Sequence, residues 1–359
     1  MRLVIIAAII LSALGATQGQ SLKSRPSCAF NLPLSPAQCR RLEAGPHAAG
    51  KSWTAGSTGT LLYTSQPLLN AIDIWSVTNK GFKMTGQLSV GAGNLPFGLT
   101  VDAAQNLYVA ISSFGSGTPS VEVFPRGATK PSTIYTTGLK EPIDVAVDAK
   151  GTVYVANLYE TEGSACGASS GPSGSVVEYD AGSTSPSRTI TGFPGCPSGI
   201  AADASGNSYL TYVYYPATGT FLQSDVIKYG NKSTTGKALG LKVPGGPQLG
   251  GIQVASNGDL VVQNVQDDAT VNQILTFPHG SISPSNTIQY PGTGWGTGFK
   301  FFALSGNRIF APAYVAPNFS FVAATPAEFS YPSGRQVIVQ SKLGSTGPFS
   351  YGFAVSPGK

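Results

Sequence analysis

One phrase of this 359-residue chain recurs often enough to dictate an architecture. It reads Pro96-Phe-Gly-Leu-Thr-Val-Asp102-Ala-Ala-Gln-Asn-Leu-Tyr-Val-Ala110. It returns as Pro142-Ile-Asp-Val-Ala-Val-Asp148-Ala-Lys-Gly-Thr-Val-Tyr-Val-Ala156 and as Pro197-Ser-Gly-Ile-Ala-Ala-Asp203-Ala-Ser-Gly-Asn-Ser-Tyr-Leu-Thr211. Weaker copies run from Gly251 to Val262 and from Phe302 to Phe310. Successive copies lie about 45–55 residues apart, the period of four-stranded propeller blades.

A second phrase keeps step with the first. A short apolar strand ends in an aromatic and a turn: Phe124-Pro-Arg-Gly127, Tyr179-Asp-Ala-Gly182, Phe277-Pro-His-Gly280, Tyr331-Pro-Ser-Gly334. Pro and Gly at these offsets make tight turns between neighbouring strands. A blade therefore reads as strand A (Leu99 to Val101), strand B (Leu107 to Ala110), strand C (Val121 to Phe124) and strand D (Thr133 to Tyr135). Apolar and polar residues alternate in these strands, as half-buried strands require.

The two ends explain closure. The first strand, Leu61 to Thr64, reads as a strand B, followed by a strand C ending at Trp75 and a strand D near Met84 to Leu88. Near the C-terminus, Pro348 to Pro357 reads as a strand A with nothing after it. Placing that last strand inside the first three completes a blade from both ends and hides edges that would otherwise invite aggregation. Five internal strand-A copies and one terminal copy make six blades. The fold class is all-β: a six-bladed β-propeller over residues 57–359. Only 11% of residues are charged and no long stretch has helical periodicity. One short helix is expected at Pro36 to Ala44, with Ser35 as N-cap and Gln38 completing the capping box.

Residues 1–19 read as a signal peptide: basic Met1-Arg2, an apolar run from Leu3 to Leu14, then small residues, with cleavage after Gly15 or Gly19. The apolar run is short for a membrane span, and no cysteine follows it to carry a lipid. The alternative is an uncleaved N-terminal anchor. The mature chain is expected to be secreted or periplasmic, a monomer with no membrane span after cleavage. Its four cysteines, Cys28, Cys39, Cys166 and Cys196, fit an oxidising compartment. Cys166 lies in the B–C loop of the third blade and Cys196 in the D–A connection to the fourth, loop types that emerge on one face. The expected pairs are Cys166–Cys196 and Cys28–Cys39, the second closing a small loop in the leader, residues 20–56. Free thiols or metal ligands are the alternatives, although the spacings are not those of a zinc site. The net charge of +5 includes Arg2 and is spread along the chain. It is a mild basic balance, not a nucleic-acid footprint.

The repeated phrase resembles those of NHL-repeat propellers and the SMP-30/gluconolactonase-like group, over nearly the whole expected ring. The resemblance implies the fold, and it spans lactonases, lyases and non-catalytic binding modules, so the reaction must be sought in the residues. Lactonases of the group hold a divalent cation with a Glu, an Asn and an Asp at the channel mouth, and their Glu-Gly-Pro phrase has no match here. At that mouth the inner strands carry Gly98, Gly199 and Gly251. The exception is Asp144, with Asn157 at the end of strand B in the same blade. A carboxylate and an amide begin a hard-cation site without completing it; the alternative is that Asp144 caps backbone N–H groups or faces channel water. Only His47 and His279 exist, one in the leader and one in an outer turn on the opposite face. Histidine-based acid–base or triad chemistry is thus poorly served. Asp102, Asp148 and Asp203 sit before the A–B turns and read as turn builders.

What remains is a surface suited to binding. The B–C loops vary most and carry Tyr159, Tyr212, Tyr214, Tyr215, Tyr314 and Phe319, with Asn157, Gln263 and Asn264 at strand ends. Variable loops on a rigid ring are where function is grafted; the alternative is that these aromatics pack the loops together. Two functions follow as expectations. The first is an exported, non-catalytic module that binds a glycan, peptide or protein at the channel-mouth face, through Asp144, Asn157, Tyr212, Gln263, Asn264 and Tyr314, with no cofactor. The second is a metal-dependent lactonase-like hydrolase, with a divalent cation at Asp144 and Asn157.

Overall fold

The computed structural model describes residues 59–113, 117–158, 174–214, 223–245, 248–265, 272–289, 302–313, 325–339 and 352–358. Its strands follow the repeat. Blade one has β1 (Leu61–Gln66), β2 (Ala71–Thr78) and β3 (Gly81–Ser89). Blade two has β4 (Leu95–Val101), β5 (Leu107–Ser112), β6 (Ser120–Phe124) and β7 (Thr133–Tyr135). Blade three has β8 (Pro142–Val147), β9 (Val153–Asn157), β10 (Ser175–Tyr179) and β11 (Arg188–Ile190). Blade four has β12 (Cys196–Ala202), β13 (Ser208–Tyr214), β14 (Gln223–Tyr229) and β15 (Gly236–Ala238). Blade five has β16 (Leu249–Val254), β17 (Leu260–Val265), β18 (Asn272–Phe277) and β19 (Asn286–Gln289). Blade six has β20 (Ala303–Ser305), β21 (Arg308–Ala313), β22 (Thr325–Ser330) and β23 (Gln336–Val339). The last strand, β24 (Phe353–Ser356), pairs antiparallel with β1, giving the order β24-β1-β2-β3. All six sheets have four antiparallel strands, and the closure expected from the two ends is the one observed.

Blade one departs from its expected boundaries. Its strand C continues past Trp75 to Thr78, and its strand D begins at Gly81. The reason is a tight hairpin: Thr78 Oγ1 accepts the Lys80 N–H at 3.2 Å and donates to the Gly81 carbonyl at 3.0 Å. Gly81 has φ of 130°, which its missing Cβ permits.

The core lies between the blades. Alternate residues of each strand face one neighbouring sheet or the other, so each junction has its own buried cluster. Ile72, Ile74, Leu99, Val109 and Phe124 fill the space between blades one and two. Leu62, Trp75, Phe310 and Phe353 fill the seam between six and one, where the ring closes. The closing strand is also pinned from outside. In the C–D turn of blade two, Arg126 donates to the Gly59 carbonyl at 2.6 Å, to Ser356 Oγ, to the Pro357 carbonyl at 3.3 Å and to Gln105 Oε1 at 2.5 Å. One guanidinium, with its planar set of donors, thereby touches the start of β1 and the end of β24. Among the described residues no helix is long and apolar enough to cross a membrane.

Candidate functional site

The ring has two unlike faces. On one, the A–B and C–D connections are short turns closed by their own hydrogen bonds. On the other lie the B–C and D–A connections, which include the longest of the ring: β9 ends at Asn157 while β10 starts at Ser175, and β21 ends at Ala313 while β22 starts at Thr325. The described candidate residues, Asp144, Asn157, Tyr212, Gln263 and Asn264, lie in the strands beneath this loop face.

The inner strands reach that face through a bulge. In β4, β8, β12 and β16 the register with strand B slips by one residue between Pro96 and Leu99, Pro142 and Asp144, Pro197 and Gly199, and Leu249 and Ile252. Such a bulge bends the strand, and here it drives neighbouring inner strands together. A Cβ on Gly98 would stand 2.5 Å from Asp144 Cα, one on Gly199 2.8 Å from the Gly250 carbonyl oxygen, and one on Gly352 2.0 Å from the Phe97 carbonyl oxygen. The small residues of the repeat therefore serve close main-chain approach, and the loop-face end of the channel is drawn in. A cavity of about 170 Å³ lies further along the axis, walled by the later halves of the inner strands, including Val101, Val147, Ala202, Val254, Leu304 and Val355.

Asp144 sits in this constriction, fully buried. Its Oδ1 accepts the Val145 N–H at 2.9 Å and its Oδ2 accepts the Ile200 N–H of the next inner strand at 2.9 Å. The carboxylate thus caps backbone groups and ties blade three to blade four. Other side chains repeat the device around the ring. Ser112 Oγ donates to the Pro142 carbonyl at 2.7 Å, Ser198 Oγ to the Leu249 carbonyl at 2.8 Å and Thr211 Oγ1 to the Gly250 carbonyl at 2.6 Å. Gln253 accepts the Leu304 N–H at 2.7 Å and donates to the Phe302 carbonyl at 3.4 Å. From blade three to blade six, each inner edge is stapled by the blade before it.

Asn157 and Asn264 are also wholly buried and play one part in two blades. Asn157 accepts the Lys140 N–H at 3.2 Å and donates to the Gly138 carbonyl at 3.2 Å and to Ser175 Oγ at 3.1 Å. Asn264 accepts the Gln248 N–H at 3.0 Å and donates to the Pro244 carbonyl at 3.5 Å. Each amide holds the D–A connection that leads into its own blade. Gln263 is buried in β17. Tyr212 is half-buried at the end of β13, and burial, helped by the charge of Asp225, raises its phenol above the ordinary value. Asp144 and Asn157 belong to one blade and Gln263 and Asn264 to another, so the candidates form a scattered layer under the loop face. Tyr314, with Tyr159, Tyr215 and Phe319, lies outside the described residues, as do Cys28, Cys39 and Cys166. Cys196 is buried at the head of β12.

On the turn face, Asp203 accepts the N–H groups of Ser205 and Asn207 at 2.9 Å, the Asn207 amide at 2.7 Å and the Tyr209 hydroxyl at 3.1 Å. Those bonds outweigh burial and hold its carboxyl below the ordinary range. Asp102 and Asp148 bind Tyr108 and Tyr154 in the same way. His279 is exposed on this face, its backbone N–H donated to Asp259 Oδ1 at 3.0 Å. Among the described residues, no three or more His, Cys, Asp or Glu side chains gather as a metal site.

Sequence inspection missed several of these residues, though a signal was present for some. Gln253 stands where the other copies have Thr100, Ala146 and Ala201, and Arg126 stands where other turns have alanine, histidine or serine. No family model matches this chain, and no curated protein does. Solved structures do. A protein of unknown function from Bacteroides caccae aligns with a TM-score of 0.57 at 13% identity, over 83% of this chain and 98% of that one. A functionally unknown protein from Desulfotomaculum acetoxidans DSM 771 aligns at 0.51 and 14%, over 83% and 99%. A third chain, provisionally named a gluconolactonase, aligns at 0.46 and 14%, over 74% and 89%. At these identities the likeness is one of fold.

Proposed function

We propose that this protein is an exported, non-catalytic propeller of the NHL-repeat and SMP-30/gluconolactonase-like kind, and that it binds a glycan, peptide or protein through its loop face. The observation that carries this reading is the engagement of Asp144. The inner-strand carboxylate best placed to begin a hydrolytic centre spends both oxygens on main-chain N–H groups of two blades. Asn157, its neighbour in the blade, is likewise spent on the Gly138–Lys140 connection. Both therefore support the platform from beneath. Contact with a ligand falls to the longer connections above it, whose sequences are rich in tyrosine, serine and glycine and poor in charge. Aromatic faces with neighbouring amides suit a sugar ring or an extended peptide. The proposed Cys166–Cys196 disulfide would tie the longest of these connections to the head of β12.

The test is a glycan and peptide array probed with the mature chain. A second sample has residues 159–173 replaced by a short Gly-Ser segment, and a third has the same change at 314–324. Saturable binding by the parent, lost in one or both variants while their melting temperature holds, is the expected result. Equal binding by all three would move the site away from this face. Turnover of a lactone by the parent in the presence of a divalent cation would replace the binding reading with the hydrolase one.

A further inference from the structure

The seam between blades six and one contains a carboxyl group that no part of the binding platform uses. Asp73 lies in β2 opposite Thr64 of β1 and Gln87 of β3. It shares the face of blade one from which Leu62 and Trp75 reach toward Ala303 and Phe310 of blade six. Its side chain has no exposure to solvent. Gln87 Nε2 donates to Asp73 Oδ1 at 2.7 Å. The other two oxygens of the pair, Asp73 Oδ2 and Gln87 Oε1, are both buried and neither accepts a hydrogen bond from the protein.

Gln66 is a second side-chain hydrogen-bond partner of the Asp73 carboxyl, yet two acceptors are left over beside the short Gln87 N–H···O bond, and that is a specific pattern. A carboxylic acid and a primary amide complete each other in a ring of two hydrogen bonds, one N–H···O and one O–H···O. The first is present, and the second needs only a proton on the acid. A buried acceptor without a donor is costly, and an unpaired buried carboxylate is costlier still. Among the described residues, β1 sets Thr64 and β3 sets Gln87 opposite Asp73, and on the blade-six side of the seam the charged side chains that pack at Phe310, Arg308 and Glu328, are paired with each other.

We propose that Asp73 and Gln87 form an acid–amide pair, with a solvent-derived proton on Asp73 Oδ2 donated to Gln87 Oε1, and that this proton makes the ring-closing blade pH-sensitive. Desolvation is the leading influence on this carboxyl and pushes it up to about 6, against the hydrogen bonds of Gln87 and Gln66. The sign follows from linkage. The folded chain holds this proton more tightly than the unfolded one, whose aspartate titrates near 4. The pair's contribution is complete below that value and is lost as pH rises through about 6. The seam therefore closes more firmly in mildly acidic surroundings than at neutral pH.

The experiment follows the melting temperature of the mature chain from pH 4 to pH 7.5 beside Asp73→Asn, whose amide can donate to Gln87 Oε1 at every pH. The two are expected to melt together near pH 4. At pH 7.5 Asp73→Asn is expected to melt about 3–5 °C higher, the size expected for a two-unit shift in a ring of this length. A gap that stays constant across the range would overturn the proposal. So would calcium at pH 7.5 raising the parent and not Asp73→Asn, because the free oxygens would then belong to a cation. If the variant does not fold, infrared difference spectra of parent protein with isotope-labelled aspartate decide the matter. A protonated buried carboxyl band at pH 5 that fades by pH 7.5 supports the pair, and its absence at pH 5 overturns it.

Discussion

Close packing at single residues sets the geometry of the channel. Gly98 is required because a Cβ there would lie 2.3 Å from Asp144 Oδ1 and 2.5 Å from its Cα, and main chain cannot step aside as a side-chain tip can. Gly98→Ala is expected to cost about 3 kcal/mol or more, as overpacking against backbone does. Gly182, with φ of 77° and open space around it, should cost only the smaller strain of its left-handed backbone. Denaturant melts of the two variants compare these costs, and equal losses would contradict the close-approach account. Glu122 offers a pH test at the same scale. This half-buried carboxyl of β6 is raised to about 7 by burial. A carboxyl raised on folding loses stability as pH climbs from its unfolded value through its folded one. Glu122→Gln should therefore match the parent at pH 4 and exceed it at pH 8 in denaturant midpoint. The sequence showed Asp144 as the odd member of a glycine column, and the reason it is tolerated was not legible there. Its partner, the Ile200 N–H, is 56 residues away and on another blade.

At the level of strands, the repeat was legible because each blade reuses one pattern of alternation and one pair of turns. The phrase at Pro96, Pro142 and Pro197 marked the inner strands, and the bulge hidden in it became visible only through register. Blade one was less legible, since Thr78 to Gly81 lacks the turn phrase that follows Phe124, Tyr179, Phe277 and Tyr331. The outer strands of the other five blades are three or four residues long, which limits the exposed edge each presents. The closing strand is short as well, so contacts from outside matter. Arg126 is expected to act as its latch. Arg126→Ala should lower stability by about 1–3 kcal/mol, in line with charge-assisted hydrogen bonds. Amide exchange should speed up in β24 and β1 more than in β12 or β16. Uniform acceleration over all blades would show that Arg126 contributes to the ring at large and not to closure.

Across the whole molecule, the six sheets and their six buried junctions form a platform whose inner edges are stapled in sequence by Ser112, Asp144, Ser198, Thr211 and Gln253. That platform leaves the turn face saturated and the loop face variable, which is the division of labour a binding module needs. The architecture was legible from period alone, whereas the ligand was not, because a glycan, a peptide and a protein are all met by aromatic and amide side chains. The account turns on the role of Asp144. Its most direct test combines metal analysis with a melt in calcium, zinc or chelator, for the parent and for Asp144→Asn. A cation bound to the folded state alone would raise the melting temperature by mass action. The account predicts no stoichiometric ion, no response to chelator, and a variant destabilised by about 2–4 kcal/mol as the Val145 and Ile200 N–H groups lose a charged acceptor. A stoichiometric ion that stabilises the parent, and that Asp144→Asn releases, would contradict it.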